Sequence, residues 1–311
     1  MDINKIVVIG TGVMGPGIAL QAAWAGYDVA IIGRSTASVE NGMSSLVNAT
    51  NELTDHGILT MEEKSEIISR ITPTTSLREG VENADYVIES VIEDLEVKQA
   101  LFARLDEICP AHTVLATNTS GLSPTEIAAR TKRPERVVAT HFWNPPHLVP
   151  LVEVGRGNET SRDTVEVSYK LMESLGKQPV IVQKDILGFI GNRLQHAMFR
   201  EALSLVEKGV ITPQDIDKVV LNSFGPRYSV IGVMEYMDMT GADLNKSVHS
   251  YLLRDLDNSE SSFTIEHEMV RNGELGMKTG KGFYDWKRRD PHEALQRRNR
   301  PFIERLKLKK E

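Results

Sequence analysis

An α/β fold, built on a doubly wound parallel sheet with a helical hairpin insert and followed by an all-helical C-terminal domain, is predicted by three observations. Short apolar runs without polar alternation recur through residues 5–183, as strands buried on both faces require. Helical patterns fall between these runs, in the order that parallel crossovers need. After Gln183 strand patterns largely stop, and from Gly188 onward the chain is mostly helical. The domain boundary is therefore expected near Lys184, giving residues 1–184 and 185–311; a chain of 311 residues is already long for one core.

The elements follow in order. KIVVI at residues 5–9 reads as a buried strand, and the helix after it has Gly26 as its stop. DVAII at 28–32 is the second strand. Residues 36–71 interrupt the alternation: Val39, Met43, Leu46, Val47, Thr50 and Leu53 recur at helical spacing, Thr60 and Glu63 are spaced as a capping box, and Gly57 lies between. This stretch is predicted to be a helical hairpin leaning away from the sheet. Further strands are read at YVIES (86–90), TVLATN (113–118), VVATHF (137–142) and PVIVQ (179–183). Ser123-Pro124-Thr125-Glu126 and Thr212-Pro213-Gln214-Asp215 each place a capping hydroxyl, a proline at the first helical position and an acid at the third, so both open helices. The Lys- and Arg-rich tail after Trp286 reads as a solvated terminal helix.

Composition narrows the function. A formal net charge of −7 argues against nucleic acid or an anionic membrane as the main partner. No apolar run approaches the roughly 20 residues of a membrane span, and the first residues lead into a strand rather than a signal segment. The single cysteine, Cys109, excludes an intrachain disulfide and fits a cytoplasmic setting; beside Pro110, with no catalytic partner nearby in sequence, it is a poor nucleophile. The eight histidines are scattered without metal-ligand spacing, so no metal is expected.

GTGVMG at residues 10–15 sits between a strand and a helix, the context that gives a glycine fingerprint its meaning. Gly10 permits the tight turn, Gly12 lets backbone approach a pyrophosphate, and Gly15 allows helix and strand to pack closely, with Met14 in the same turn. The helix N-terminus then offers free N–H groups to the anion. This makes the sheet Rossmann-type and a dinucleotide the expected cofactor. At the end of the second strand, Gly33-Arg34-Ser35 stands where an NAD site carries an acid for the ribose hydroxyl. With that acid absent, Arg34 and Ser35 are placed to bond a 2′-phosphate, each such bond worth about 1.5–3 kcal/mol. NADP(H) is therefore favoured over NAD(H), with the latter still open.

Asn118 and Ser120, in NTS, lie just past a strand, where doubly wound sheets bind ligands. His141 and Asn144 belong to HFWNPP, Glu153 to LVEVG, and Asn192 to GFIGNRL. A histidine suits taking a proton from a hydroxyl while hydride leaves for a nicotinamide, and a carboxylate on its other ring nitrogen would fix the tautomer. Taken in order, and together with GMKTGKGFYDW (276–286), these segments resemble the L-3-hydroxyacyl-CoA dehydrogenase family across nearly the whole chain.

The resemblance implies an NAD(P)-dependent dehydrogenase interconverting a secondary hydroxyl and a ketone. It implies His141 as base and Glu153 as its partner, with Ser120 and Asn192 positioning substrate and cofactor. Glu93 and Lys98, in VIEDLEVK, fall in a segment that lines the nicotinamide side in the family. It also implies a helical C-terminal domain that forms a homodimer and closes over the cleft.

Departures bear on the substrate. CoA-using members usually carry basic residues on the hairpin, whereas residues 36–63 contain no Lys or Arg. Their motif HFFNPVP reads HFWNPPHLVP here. That form is similar to the free-hydroxy-acid branch of the family, lambda-crystallin/L-gulonate dehydrogenase-like and pyridine-carboxylate dehydrogenase-like. A free hydroxy acid or small carboxylated alcohol is expected ahead of a 3-hydroxyacyl-CoA, with Arg227, or less so Lys246, as the clamp for its carboxylate. Two other readings carry less weight. A 3-hydroxyisobutyrate-type enzyme needs a lysine where GFIGNRLQ has Asn192, and a non-catalytic cofactor binder would not need Ser120, His141, Glu153 and Asn192 together.

Overall fold

The computed structural model describes residues 2–308. Eight strands form one sheet: β1 (Lys5–Ile9), β2 (Asp28–Ile32), β3 (Ile71–Thr74), β4 (Tyr86–Glu89), β5 (Val114–Thr117), β6 (Val137–Phe142), β7 (Leu151–Arg156) and β8 (Gln178–Val182). Their order is β3-β2-β1-β4-β5-β6-β7-β8. The strands from β3 to β6 are parallel, β7 runs antiparallel to β6, and β8 is parallel to β7. β3 and β7 are additions to the six strands legible in the sequence. β3 is four residues with a central Pro73, and its middle positions are exposed, so it carries no apolar signature.

Helices α1 (Gly15–Trp24), α2 (Thr36–Asp55), α3 (Met61–Ser69), α4 (Leu77–Val81), α5 (Leu95–Ile108), α6 (Pro124–Ala128) and α7 (Arg162–Ser174) accompany the sheet. Side chains alternate across the pleat. Ile6, Val8, Ile31, Ile88 and Val138 pack on one face with α1 and α7, and Val7, Ile9, Val87 and Leu115 pack on the other with α5 and α6. The expected caps are present. Ser123 accepts from the Glu126 N–H at 3.2 Å, Thr212 accepts from the Asp215 N–H at 3.2 Å, and Thr60 and Glu63 cap reciprocally. α2 and α3 do form a hairpin, with Gly57 at φ +72° between them. It does not lean away: Leu46, Leu53 and Ile67 are buried in the same core as Ile18 and Leu20 of α1. A stripe of period 3.6 needs an apolar partner, and the back of α1 supplies it.

The second set of helices is α8 (Gly191–Glu207), α9 (Pro213–Asn222), α10 (Phe224–Arg227), α11 (Val233–Thr240), α12 (Ala242–Leu252), α13 (Thr264–Arg271) and α14 (Pro291–Leu308). The chain divides into two compact units, residues 1–192 with 297–311, and residues 193–296. The division therefore falls eight residues beyond the expected Lys184, and the end of α14 belongs with the sheet. Two ties explain this. Asp185 accepts from the hydroxyls of Ser123 and Thr125, holding the stretch after β8 to α6. Ile303 of α14 is buried among Leu46, Leu53 and their neighbours, and Asn299 donates to Glu52 at 3.0 Å. Among the described residues no helix is long and apolar enough to cross a membrane.

Candidate active site

The carboxyl ends of β1 and β4 meet where the strand order reverses, and the glycine turn opens there. Gly10 has φ +119°, which disfavours any other residue, and its N–H bonds the Ile32 carbonyl at 2.8 Å. A Cβ on Gly15 would lie 1.8 Å from the Gly10 carbonyl oxygen, so α1 begins hard against the turn. At Gly12 the same Cβ would meet nothing within 4 Å: that glycine leaves open space over the turn instead of filling a contact. A cleft of about 830 Å³ lies here, lined by the turn with Met14, the β2 end with Arg34, and Ser90–Ile92. The open glycine cradle at a helix start fits the pyrophosphate of a dinucleotide.

Gly33 has a packing cause as well. A Cβ there would fall 2.6 Å from the Ser38 hydroxyl and 2.7 Å from a Val39 methyl, so any side chain at this position would require the start of α2 to shift. Ser35 caps α2, its hydroxyl accepting from the Ser38 N–H at 3.2 Å. Arg34 is exposed at the cleft edge.

His141 and Glu153 lie directly opposite each other in the antiparallel β6–β7 pair. Such cross-strand neighbours put their side chains together on one face. Nδ1 of His141 is 2.8 Å from Oε2 of Glu153; the two residues are 4% and 1% exposed. Burial alone would raise the Glu153 carboxyl. The His141 bond and the N–H groups of Gly191 and Ile190, at 3.0 and 2.8 Å, hold it below the usual value. Ionised, it only accepts, so His141 donates from Nδ1, and in the neutral imidazole the lone pair then lies on Nε2. The Phe189 ring stacks on His141 at 5.2 Å, and Trp143 lies tilted beside it at 5.5 Å.

A second constellation holds the loop after β5. Glu93 accepts from the Ser120 N–H at 2.8 Å and from the Thr119 hydroxyl. Lys98, 1% exposed on α5, lies 3.3 Å from Glu93 and 2.6 Å from Glu89, which is 0% exposed. Thr117 and the Val91 N–H complete the shell of Glu89 at 2.6 and 2.7 Å. The Glu93 carboxyl, which half-burial would raise, is lowered instead by Thr119, Lys98 and the Ser120 N–H. Glu89 escaped the sequence reading, although an acid ending the apolar run YVIE was a usable signal.

Asn118 joins three strand ends. Its Oδ1 accepts from the Phe142 N–H at 2.8 Å and its amide reaches the Ser90 hydroxyl at 3.4 Å. Asn192 donates to the Ser120 carbonyl at 2.8 Å. Direct bonds thus join Asn192 to Ser120 and His141 to Glu153, while Asn118 and Asn192 are tied to that pair through backbone neighbours, Phe142 next to His141 and Gly191 next to Asn192. Asn144 is exposed, before the cis Pro145. Arg227 and Lys246 lie in the other unit; there the Arg227 guanidinium sits 4.6 Å over the Tyr236 ring. Cys109 is buried, and burial pushes its thiol up to about 11, which leaves it inert.

A parallel sheet with a glycine cradle at its switch point, and a histidine–carboxylate pair two strands away, defines a dinucleotide-dependent dehydrogenase. Residues 5–186 match the model of the 3-hydroxyacyl-CoA dehydrogenase NAD-binding domain, and residues 188–286 match that of the 3-hydroxyacyl-CoA dehydrogenase C-terminal domain. The chain belongs to the 3-hydroxyacyl-CoA dehydrogenase family and is an NAD-dependent oxidoreductase acting on a CH–OH group.

Among its relatives, 5-formyl-3-hydroxy-2-methylpyridine 4-carboxylate 5-dehydrogenase of Mesorhizobium japonicum is 37% identical over 91% of this chain and 90% of its own. A probable 3-hydroxybutyryl-CoA dehydrogenase of Bacillus subtilis is 39% identical over 92% and 98%. Among solved structures, a 5-formyl-3-hydroxy-2-methylpyridine 4-carboxylic acid 5-dehydrogenase, described as an NAD+-dependent dismutase, is similar with a TM-score of 0.89 at 34% identity, covering 97% of both chains. The (S)-3-hydroxybutyryl-CoA dehydrogenase of Ralstonia eutropha is similar at 0.77 and 32%, covering 92% of this chain and 99% of that one.

Proposed function

We propose that this enzyme interconverts the hydroxyl and carbonyl forms of a free hydroxy acid or small carboxylated alcohol, in preference to a 3-hydroxyacyl-CoA. The observation that carries this reading is the hairpin. Its residues 36–63 contain no Lys or Arg to meet CoA phosphates, and the first lysine beyond them, Lys64, bonds Asn51 at 2.5 Å. The high structural similarity to a pyridine-carboxylate dehydrogenase supports it. Arg227, which makes no ion pair among the described residues, is the proposed partner of the substrate carboxylate.

In this reading His141 Nε2 takes the hydroxyl proton, and Glu153 holds the imidazole and stabilises its cation. Ser120 and Asn192 orient the reacting oxygen. A nicotinamide dinucleotide held over the Gly10–Gly15 turn would supply the acceptor or donor of hydride. The β2 end lacks an acid, so it tolerates a 2′-phosphate beside Arg34, and NADP(H) is proposed to serve alongside NAD(H). Initial rates with acetoacetyl-CoA and a panel of free hydroxy acids, each run with both cofactors, test the assignment. We expect the larger kcat/KM on a free acid, and the two cofactors within about tenfold, a difference of 1.4 kcal/mol. A dominant kcat/KM on the thioester rejects the substrate reading, and a strong NAD(H) preference rejects the dual cofactor.

We also propose self-association through the second unit. Helices α9–α13 contain no buried residue, while Leu221, Met234, Leu244 and Tyr251 are exposed. Apolar helices with no interior of their own need a partner surface. Light scattering should give twice the chain mass at micromolar concentration; a monomer there counts against it.

A further inference from the structure

The Glu153 carboxylate has four donors. Oε1 takes the N–H groups of Ile190 and Gly191, at 2.8 and 3.0 Å. Oε2 takes His141 Nδ1 at 2.8 Å and also the indole N–H of Trp143 at 3.2 Å. The same oxygen thus serves the proposed base and a tryptophan. Local packing is built around that indole. A Cβ on Gly191 would lie 2.3 Å from Cζ2 of Trp143, so residue 191 is a glycine that lets the bicyclic ring lie against the start of α8.

We propose that Trp143 is a positioning residue of the catalytic pair. Its N–H fixes the rotation of the Glu153 carboxylate and withholds part of the Oε2 charge from His141. The proposal rests on His141 being the base.

The physical argument concerns one acceptor atom. A carboxylate oxygen with two donors shares its charge between them, and each bond is weaker than if it stood alone. Imidazolium gains from the full charge of Oε2 when Trp143 does not compete. Around the pair, the turn after β5 contributes Asn118, β8 contributes Val180, and the segment entering α8 contributes Phe189, Ile190 and Gly191, none of them ionisable. Arg193, two residues further along α8, is the nearest charged residue of that segment in sequence, and the charge that acts on the Glu153 carboxyl is that of His141. α7 packs on the opposite face of β6 and β7, with Val138 and Val152. Removing the indole N–H therefore strengthens the hold of Glu153 on a protonated His141. The base then stays protonated to higher pH, and oxidation of the alcohol needs more alkaline conditions.

The test is the pH profile of kcat/KM for alcohol oxidation at saturating dinucleotide. It compares the parent enzyme, Trp143→Phe, and a form carrying 3-benzothienylalanine at 143, which keeps the bicyclic shape but lacks the N–H. Both changes should move the acid limb to higher pH by about half a unit, the size of a partly transmitted hydrogen bond. Dinucleotide affinity should stay unchanged. An unmoved limb in both forms overturns the proposal, as does a shift confined to Trp143→Phe, which would assign the effect to packing. His141→Gln separates the two levels. If it is inactive, an unmoved limb counts against Trp143 alone; if it turns over normally, the base assignment fails and the Trp143 proposal with it.

Discussion

Replacing His141 by glutamine is expected to lower kcat by about 10²–10⁴-fold, the usual scale of general-base catalysis, while dinucleotide affinity holds. Glutamine can still donate to Glu153 from inside the β6–β7 pair, so the carboxylate is not left bare and the fold should survive. What is lost is the lone pair on Nε2. The cradle at Gly10–Gly15 lies beyond β4 and β5 in the sheet, so fluorescence titration with the reduced cofactor should report an unchanged Kd. Turnover near the parent rate in a folded His141→Gln protein would remove the base assignment.

The largest loss of stability is expected from Lys98→Met. Glu89 is sealed from solvent, and among the described residues Lys98 is its one cationic partner, at 2.6 Å. Breaking such a pair from one side strands a buried charge and costs about 3–5 kcal/mol. For a unit of this size that corresponds to a fall in Tm of about 10 °C by calorimetry. Joint replacement, Lys98→Met with Glu89→Gln, should recover much of the loss, because amide and thioether need no counter-charge. A single variant that melts with the parent would show that the pair is not needed. Glu93 would also lose its cation at 3.3 Å, so the Ser120 loop should loosen and kcat fall even where the protein remains folded.

The sheet was legible wherever strands were apolar on both faces, as in KIVVI and DVAII, because burial leaves its mark directly in composition. β7 was not, and the reason is instructive. Its central residue is Glu153, and a carboxylate in the middle of LVEVG breaks the run that marks a buried strand. The group that gives the strand its function concealed it. The candidate site was legible as residue types, since His141, Glu153, Ser120 and Asn192 are unusual at strand and helix ends. Its connections were not: that Asn192 holds the Ser120 carbonyl, or that Lys98 bridges two acids, depends on crossovers that bring positions 72 or 9 residues apart into contact. Gly33 had two meanings that only coordinates separate, a missing acid and a crowded α2 start.

The burial of Ile303 and the bond from Asn299 to Glu52 have a consequence for synthesis on the ribosome. The hairpin of residues 36–69 emerges early, yet one of its packing partners is translated only after residues 193–296 have been made. At about 5–20 residues per second the nascent nucleotide-binding unit waits for several seconds with that apolar surface uncovered. A premature stop ahead of residue 297 would leave every strand in place and still injure the sheet unit, so the penalty for a late nonsense mutation falls on the earliest-made half of the enzyme.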